Sequence, residues 1–191
     1  MERLSDNYYV EQVLSGNTGS FRPLLERYSK QVFALIVKIV GNREDAEELT
    51  QDVFVKVFGS LSKFRADSSF STWIYRIAYN TAISATRKKG DFFVPIDELT
   101  LSEVIDETDE MIFQDSNDDM RITYLNRALE QISPEERAMI IIFYKDKISM
   151  EEIAVITGLT ETNVKTKMFR IRKKLYVLIK CMEEQSNGTE R

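Results

Sequence analysis

The side chains best suited to chemistry lie near the C-terminus, where basic and polar residues recur over one helical stretch. Residues 161–180 hold seven Lys or Arg and a single acid. Arginine and lysine bond guanine edges and phosphates, while threonine and asparagine bond base edges or the DNA backbone. A helix that carries them fits the major groove of duplex DNA. We predict a DNA-facing surface formed by Thr162, Asn163, Lys165, Thr166, Lys167, Phe169, Arg170 and Lys173.

The residues around this surface predict a helix-turn-helix that would hold it in place. Ile153, Ala154 and Ile156 give a first helix an apolar side, and Gly158 suits the left-handed turn that follows it. An inward stripe of the second helix is predicted at Val164, Met168, Ile171 and Leu175. An ordinary helical hairpin with a solvated basic face is the alternative interpretation.

A second stretch, residues 70–89, combines four aromatic and four basic residues with no acid. Aromatic rings stack on unpaired bases and cations hold phosphates, which is the chemistry of single-strand capture. The competing interpretation assigns the apolar members Phe70, Trp73, Ile74 and Ile77 to the core. We expect the core interpretation to hold for most of them.

Composition excludes several function classes. The chain has no histidine, which removes His-based zinc sites and histidine triads, and its one cysteine, Cys181, excludes an internal disulfide framework. Because residues 1–9 are polar we expect no signal peptide, and the apolar run 32–40 is too short to span a membrane. We therefore expect a cytoplasmic protein without metal, cofactor or small-molecule substrate.

Charge is distributed unevenly along the 191 residues. The net charge is −5, yet residues 90–120 hold 11 of the 31 acids and no Lys or Arg, so the remainder is basic by six charges. This pattern predicts a flexible acidic linker between two parts of the chain. Attraction between the linker and the basic remainder would close those parts on each other.

Apolar residues at three- and four-residue spacings, with few glycines and prolines, predict an all-α fold of two small helical domains. We place the N-terminal helical bundle at 1–90, the acidic linker at 91–120, the helix-turn-helix domain at 121–182 and a disordered tail at 183–191. Ser133 with Glu136, and Ser149 with Glu152, fit capping boxes that begin two C-terminal helices. Asn42 and Thr160 are further predicted caps.

A helix predicted over residues 43–61 has an apolar stripe and a polar face. Its polar face carries Glu48, Gln51 and Asp52. Taken alone, such a face is usually solvated surface.

Three ordered motifs together indicate a family. DAEELTQDVFVKVF (45–58), FSTWIYRIAYNTA (70–82) and ISMEEIAVITGLTETNVKTKMFRIRKKL (148–175) closely resemble the extracytoplasmic-function (ECF) sigma factors of bacterial RNA polymerase. The resemblance covers nearly the whole chain. It implies a non-enzymatic protein that binds core RNA polymerase and directs promoter recognition, DNA melting and transcription initiation.

The resemblance also implies roles for particular residues. Glu48, Gln51 and Asp52 would bind the clamp helices of the polymerase's largest subunit. The loop 65–71 with Asn80 would pocket a flipped base of the minus-ten element. The residues implied for minus-ten DNA are Arg65, Ser69, Arg76, Asn80, Arg87 and Lys88. Among the residues of the second helix, Lys165, Thr166, Phe169 and Arg170 match positions that contact the minus-thirty-five element, with Thr162 and Lys173 beside them.

Family membership further implies an anti-sigma factor, often membrane-anchored, and a linker that threads the RNA exit path of the polymerase. A solvated spacer is the alternative for the linker. The rival to the whole interpretation is a helix-turn-helix regulator that binds duplex DNA without being a polymerase subunit. An enzyme built on paired carboxylates is disfavoured, because the acids cluster where nothing would fix their separation.

Overall fold

Eight α-helices and two short 3-10 turns form the regular structure of the part described by the computed structural model, residues 4–89 and 119–188. The helices are α1 (Asp6–Leu14), α2 (Arg22–Val40), α3 (Arg43–Ser60), α4 (Phe70–Lys89), α5 (Asp119–Gln131), α6 (Pro134–Tyr144), α7 (Met150–Thr157) and α8 (Glu161–Gly188). Within these ranges no strand occurs. The predicted all-α fold with an N-terminal and a C-terminal group of helices is confirmed.

The starts of α3, α6, α7 and α8 form where the local sequence predicts them. The Asn42 side chain accepts the Asp45 N–H at 3.0 Å, and both predicted capping boxes are present. Thr160 accepts the Asn163 N–H at 3.3 Å at the start of α8. These caps satisfy N–H groups that have no partner inside the helix.

Three helix boundaries differ from the predictions. A separate 3-10 turn, Thr18–Phe21, precedes α2, so the helix predicted from Gly19 begins at Arg22. Helix α5 begins at Asp119, inside the predicted linker, whose residues 91–118 lie outside the described part of the chain. Residues 183–188, predicted to belong to a disordered tail, continue α8. The segment is polar, but polar residues alone do not end a helix. It contains no proline, and its first glycine is Gly188, so nothing stops the helix earlier.

The two groups of helices pack against each other. Helices α2, α3 and α4 contact one another, and α8 contacts α5, α6 and α7. Across the boundary, α4 lies against α7 and α6, and α2 lies against α6. The buried apolar residues of both groups form one continuous cluster. The two groups therefore adopt a closed arrangement.

Candidate nucleic-acid interface

The helix-turn-helix places α8 as predicted. Gly158 ends α7 in the left-handed conformation (φ +75°), which redirects the chain within two residues toward the Thr160 cap. The apolar stripes of both helices are buried. They comprise Ile153 and Ile156 of α7 and Val164, Met168, Ile171 and Leu175 of α8. The opposite side of the first turns of α8 is left for solvent.

That exposed side carries most of the predicted DNA-contacting residues. Exposed side chains occur at Thr162, Lys165, Thr166, Phe169 and Arg170. Lys165 pairs with Glu161 at 2.7 Å, and the Thr166 hydroxyl donates to the Thr162 carbonyl at 3.0 Å. Both contacts are local to the helix, so they hold the side chains without covering them. The surface is therefore available to a DNA groove.

Lys173 corrects one expectation, because it is buried rather than displayed on this surface. Helix α8 packs against α5 as well as α6 and α7, and a lysine stem can be covered along its aliphatic length. The Lys173 ammonium lies 4.5 Å from the centroid of the Phe169 ring. This cation–π contact restrains the Phe169 ring, which is exposed on the side of α8 that is predicted to face DNA.

A second exposed surface lies on α3. Glu48, Gln51 and Asp52 are all exposed, and Val53 and Val57 fix the helix by packing into the core. The three polar side chains thus share one accessible face, as the sequence predicts.

An apolar groove beside this face was not predicted. Its walls come from the turn before α2, from α2 and from α3. They include Phe21, Leu25, Phe54, Val55 and Phe58. Val55 is 71% exposed and Phe58 44% exposed, unusual values for large apolar side chains. The sequence feature that could have indicated the groove is Val55. It follows Gln51 by four residues, so it places an apolar side chain on the polar face of α3.

The loop before α4 is held by an aromatic cluster. Phe64, Phe70 and Trp73 place their ring centroids 5.3 to 5.7 Å apart. Ala66 has φ +56°, a left-handed conformation that is uncommon for a residue with a side chain. The neighbouring Arg65 is exposed. These rings are structural and shape the loop, which favours the core interpretation of Phe70 and Trp73.

At the end of the loop, hydroxyl groups form a small network. Ser69 Oγ lies 2.7 Å from Ser71 Oγ and 2.8 Å from Thr72 Oγ1, and it accepts the Thr72 N–H at 3.1 Å. Ser69 itself remains exposed. The network gives the loop several donors and acceptors near the start of α4.

The remaining predicted residues of α4 lie along one accessible side. Arg76, Asn80 and Arg87 are exposed and follow one another down the helix, while the side chain of Lys88 lies outside the described part. Arg87 pairs with Glu135 of α6 at 3.2 Å. The structure therefore brings Ser69, Arg76, Asn80 and Arg87 to one flank, with Arg65 on the preceding loop.

Within residues 4–89 and 119–188, no group of three or more Asp, Glu or Cys side chains is placed to hold a metal ion. No helix in those same ranges is long and apolar enough to cross a membrane.

Comparison with known proteins decides the family. Sigma-70 region 2 matches residues 24–92, and Sigma-70 region 4 matches residues 122–175. The ECF RNA polymerase sigma-E factor of Escherichia coli K12 is 30% identical over 183 residues, which cover 90% of this chain and 93% of that protein. The chain belongs to the ECF sigma factors. It is therefore an RNA polymerase sigma factor, and the alternative of a free-standing helix-turn-helix regulator is not favoured.

Other relatives agree with this assignment. The ECF sigma factor SigW of Bacillus subtilis is 26% identical over 174 residues, covering 87% of this chain and 92% of that protein. Two solved structures share the fold. The sigma factor RpoE of Bartonella quintana, in complex with the anti-sigma factor NepR, matches with TM-score 0.61 and 23% identity over 84% of this chain and 96% of that one. CnrH, in complex with the cytosolic domain of CnrY, matches with TM-score 0.65 and 20% identity. The match covers 92% of this chain and 97% of that one.

Proposed function

We propose that this ECF sigma factor acts as a non-enzymatic, cytoplasmic subunit whose three exposed surfaces divide the work of initiation. The α3 face binds the polymerase clamp, the α4 flank with its loop binds minus-ten DNA, and the α8 surface binds the minus-thirty-five element. The observation that carries the proposal is that the acidic and the basic surfaces lie on different helices. The acids of α3 and the cations of α8 occupy different exposed helix faces.

The α3 face is proposed to contact the clamp helices of the largest polymerase subunit through Glu48, Gln51 and Asp52. Their carboxylates suit an arginine-rich partner, since arginine bonds a carboxylate through two parallel N–H groups. The adjacent groove, with Val55 and Phe58 at its rim, adds apolar area that a partner helix would bury. Polar contacts would then fix orientation, while the apolar rim supplies affinity.

The α4 flank is proposed to hold the unpaired minus-ten strand. The loop between Arg65 and Ser71 offers a shaped edge with several hydroxyl groups, and Asn80 adds an amide that bonds base edges. Arg76, Arg87 and Lys88 would neutralise phosphates further along the strand. Trp73 acts through the aromatic cluster that shapes the loop and is not itself placed on the DNA.

The α8 surface is proposed to enter the major groove at the minus-thirty-five element. Lys165 and Arg170 would bond guanine or phosphate, Thr162 and Thr166 would bond base edges or backbone, and Phe169 suits a thymine methyl group. Lys173, being buried, is proposed to act by orienting the Phe169 ring. Lysine at position 165 is a point charge without the two-pronged geometry of arginine.

One further partner and one segment complete the proposal. The chain is proposed to be restrained by an anti-sigma factor, membrane-anchored in some systems, because a protein of the same fold, RpoE of Bartonella quintana, was solved in complex with an anti-sigma factor. Residues 91–118 are proposed to link the two domains, N-terminal to residue 90 and C-terminal from residue 119. Their acids would occupy the basic RNA exit path of the polymerase.

Direct binding to core RNA polymerase tests the clamp assignment. The variant Asp52→Arg reverses an exposed charge on the proposed face, and Glu11→Arg makes the same charge change on an exposed position of α1. We expect Asp52→Arg to weaken the complex at least tenfold, about 1.4 kcal/mol, as measured by fluorescence titration of labelled core. Glu11→Arg should bind like the wild type. Equal affinity of both variants would contradict the clamp assignment.

A further inference from the structure

The N-terminal helix α1 is fixed to α2 by a polar network at its first turn. Asp6 accepts a hydrogen bond from the Tyr28 hydroxyl at 2.5 Å and pairs with the Arg27 guanidinium. Arg27 also donates to the Leu4 carbonyl at 3.1 Å, and its guanidinium lies 5.8 Å from the centroid of the Tyr9 ring. Asp6 and Tyr28 are 22 positions apart, so the network is a tertiary contact between two helices.

This network is largely shielded from water. The Asp6 side chain is 20% exposed and that of Arg27 is 25% exposed, while Tyr28 is buried. Burial and the hydrogen bond to Asp6 raise the pKa of Tyr28, so its hydroxyl remains a donor at neutral pH. A hydrogen bond to a carboxylate is stronger than one between neutral groups, and the Asp6 carboxylate therefore restrains the Tyr28 ring.

The Tyr28 ring contacts the residue that begins α4. Its centroid lies 5.7 Å from that of Phe70, and both side chains are buried. Phe70 in turn contacts Phe64, with 5.4 Å between the centroids and the two ring planes at 90°. Phe64 and Phe70 flank the loop 65–69, most of whose residues are exposed. The contact between these two rings therefore closes the loop at its base.

Helix α1 also supports the other end of this loop. It lies against the 3-10 turn Leu61–Lys63, in which Leu61 is buried. The Leu61 carbonyl accepts the Phe64 N–H at 3.1 Å. Within the loop, Ala66 has the left-handed φ of +56°, and such a conformation persists only where the surrounding structure holds it. Helix α1 and Tyr28 are part of that surrounding structure.

We propose that Asp6 and Tyr28 are positioning residues for base capture, because they hold Phe70 and thereby set the shape of the minus-ten loop. The proposal rests on the assignment of the loop 65–71 with Asn80 to the minus-ten element. A flipped base is held by specific contacts inside a pocket, whereas phosphate contacts carry no sequence information. A displaced loop should therefore weaken the capture of the base more than it weakens overall DNA binding.

Abasic promoter probes separate base capture from overall binding. Holoenzyme assembled from core RNA polymerase and each variant would be titrated with forked DNA, which is duplex upstream of the minus-ten element and single-stranded across it. Its sequence is a promoter selected by run-off transcription with the wild-type holoenzyme. The probes are intact or carry one abasic site at each minus-ten position in turn. The measured quantity is the ratio of abasic to intact dissociation constants at the position where the wild type shows the largest ratio.

Tyr28→Phe removes the hydroxyl and keeps the ring. We expect it to lower this ratio about threefold. Asp6→Ala removes the acceptor and should act in the same way, whereas Asp6→Asn keeps an oxygen that can accept from Tyr28 and should retain most of the ratio. The double variant of Asp6→Ala with Tyr28→Phe should lose no more than the larger single loss, because both changes break one hydrogen bond.

Tyr144→Phe is the matched control. It removes a tyrosine hydroxyl that accepts a hydrogen bond from Arg172 at 2.9 Å in the C-terminal domain. We expect it to keep the wild-type ratio. A variant that is partly unfolded loses active protein for both probes alike, so a loss of stability alone does not change the ratio. An equal loss in Tyr144→Phe and Tyr28→Phe would therefore overturn the positioning role.

Asn80→Ala distinguishes failure of the positioning role from failure of the minus-ten assignment. If Asn80→Ala lowers the ratio and Tyr28→Phe does not, the assignment stands and the positioning role is overturned. If Asn80→Ala and Tyr28→Phe both keep the wild-type ratio, the minus-ten assignment fails, and the positioning role fails with it.

Discussion

The turn glycine of the helix-turn-helix allows a prediction whose size follows from the structure. Gly158 has φ +75°, and a Cβ atom built on it would meet no atom within 4 Å. Replacement by alanine therefore adds no clash and changes only the backbone energy. The left-handed conformation costs an ordinary residue about 1–2 kcal/mol, and part of that cost is offset because alanine also stiffens the unfolded chain.

We expect Gly158→Ala to lower the free energy of unfolding by about 1 kcal/mol, which shifts the Tm of a chain of this size by about 2–4 °C. Gly158→Asn is the matched control, since asparagine tolerates the left-handed region better than alanine. Thermal unfolding followed by circular dichroism at neutral pH measures both. An alanine variant as stable as the wild type would refute the claim that this turn requires a left-handed residue.

Gly41 extends the same test to the N-terminal domain. It ends α2 with φ +71° and also has nothing within 4 Å of its added Cβ. Because the two domains share a continuous buried cluster, Gly41→Ala and Gly158→Ala should each shift one common unfolding transition. Two transitions, each moved by only one of the variants, would contradict the packing of the domains.

Three further predictions concern the interface, the core and the DNA surface. Burial raises the pKa of Asp146, so its contribution to stability is complete below the ordinary value of 3.8 and is lost as the pH rises through the raised pKa. Asp146→Asn should therefore gain Tm over the wild type as the pH rises toward neutrality, and equal pH profiles would contradict this. Met168→Ala removes a fully buried side chain and should cost about 2–5 kcal/mol in denaturant titrations; a loss below 1 kcal/mol would count against the assigned core. Arg170→Ala should weaken promoter binding by about 1–3 kcal/mol and reduce the salt slope by about one, whereas Lys180→Ala on the same helix should not.

Much of the fold follows from local sequence. The caps at Asn42, Ser133 and Ser149 and the turn at Gly158 are set by hydrogen bonds and backbone preferences within a few residues, so they can be predicted without tertiary information. The buried stripe of α8 follows from its periodicity for the same reason. Helix type and helix faces were accordingly the most predictable features.

What could not be predicted depends on packing between distant elements. Lys173 lies opposite the buried stripe of α8, so periodicity assigns it to solvent, although the folded chain buries it. The hydrogen bond between Thr72 and Glu152 joins two residues that are 80 positions apart, and nothing in the sequence around either one indicates that they pair. Val55 was visible as an apolar residue on a polar face, but its groove forms only when α2 lies beside α3.

Promoter-dependent initiation is the most direct test of the account. The purified chain would be mixed with bacterial core RNA polymerase and a promoter library, and the run-off transcripts would be sequenced. We predict starts at discrete positions that require the chain, disappear with Asp52→Arg and persist with Glu11→Arg. No association with core, together with tight and salt-sensitive binding of the chain alone to duplex DNA, would contradict the account.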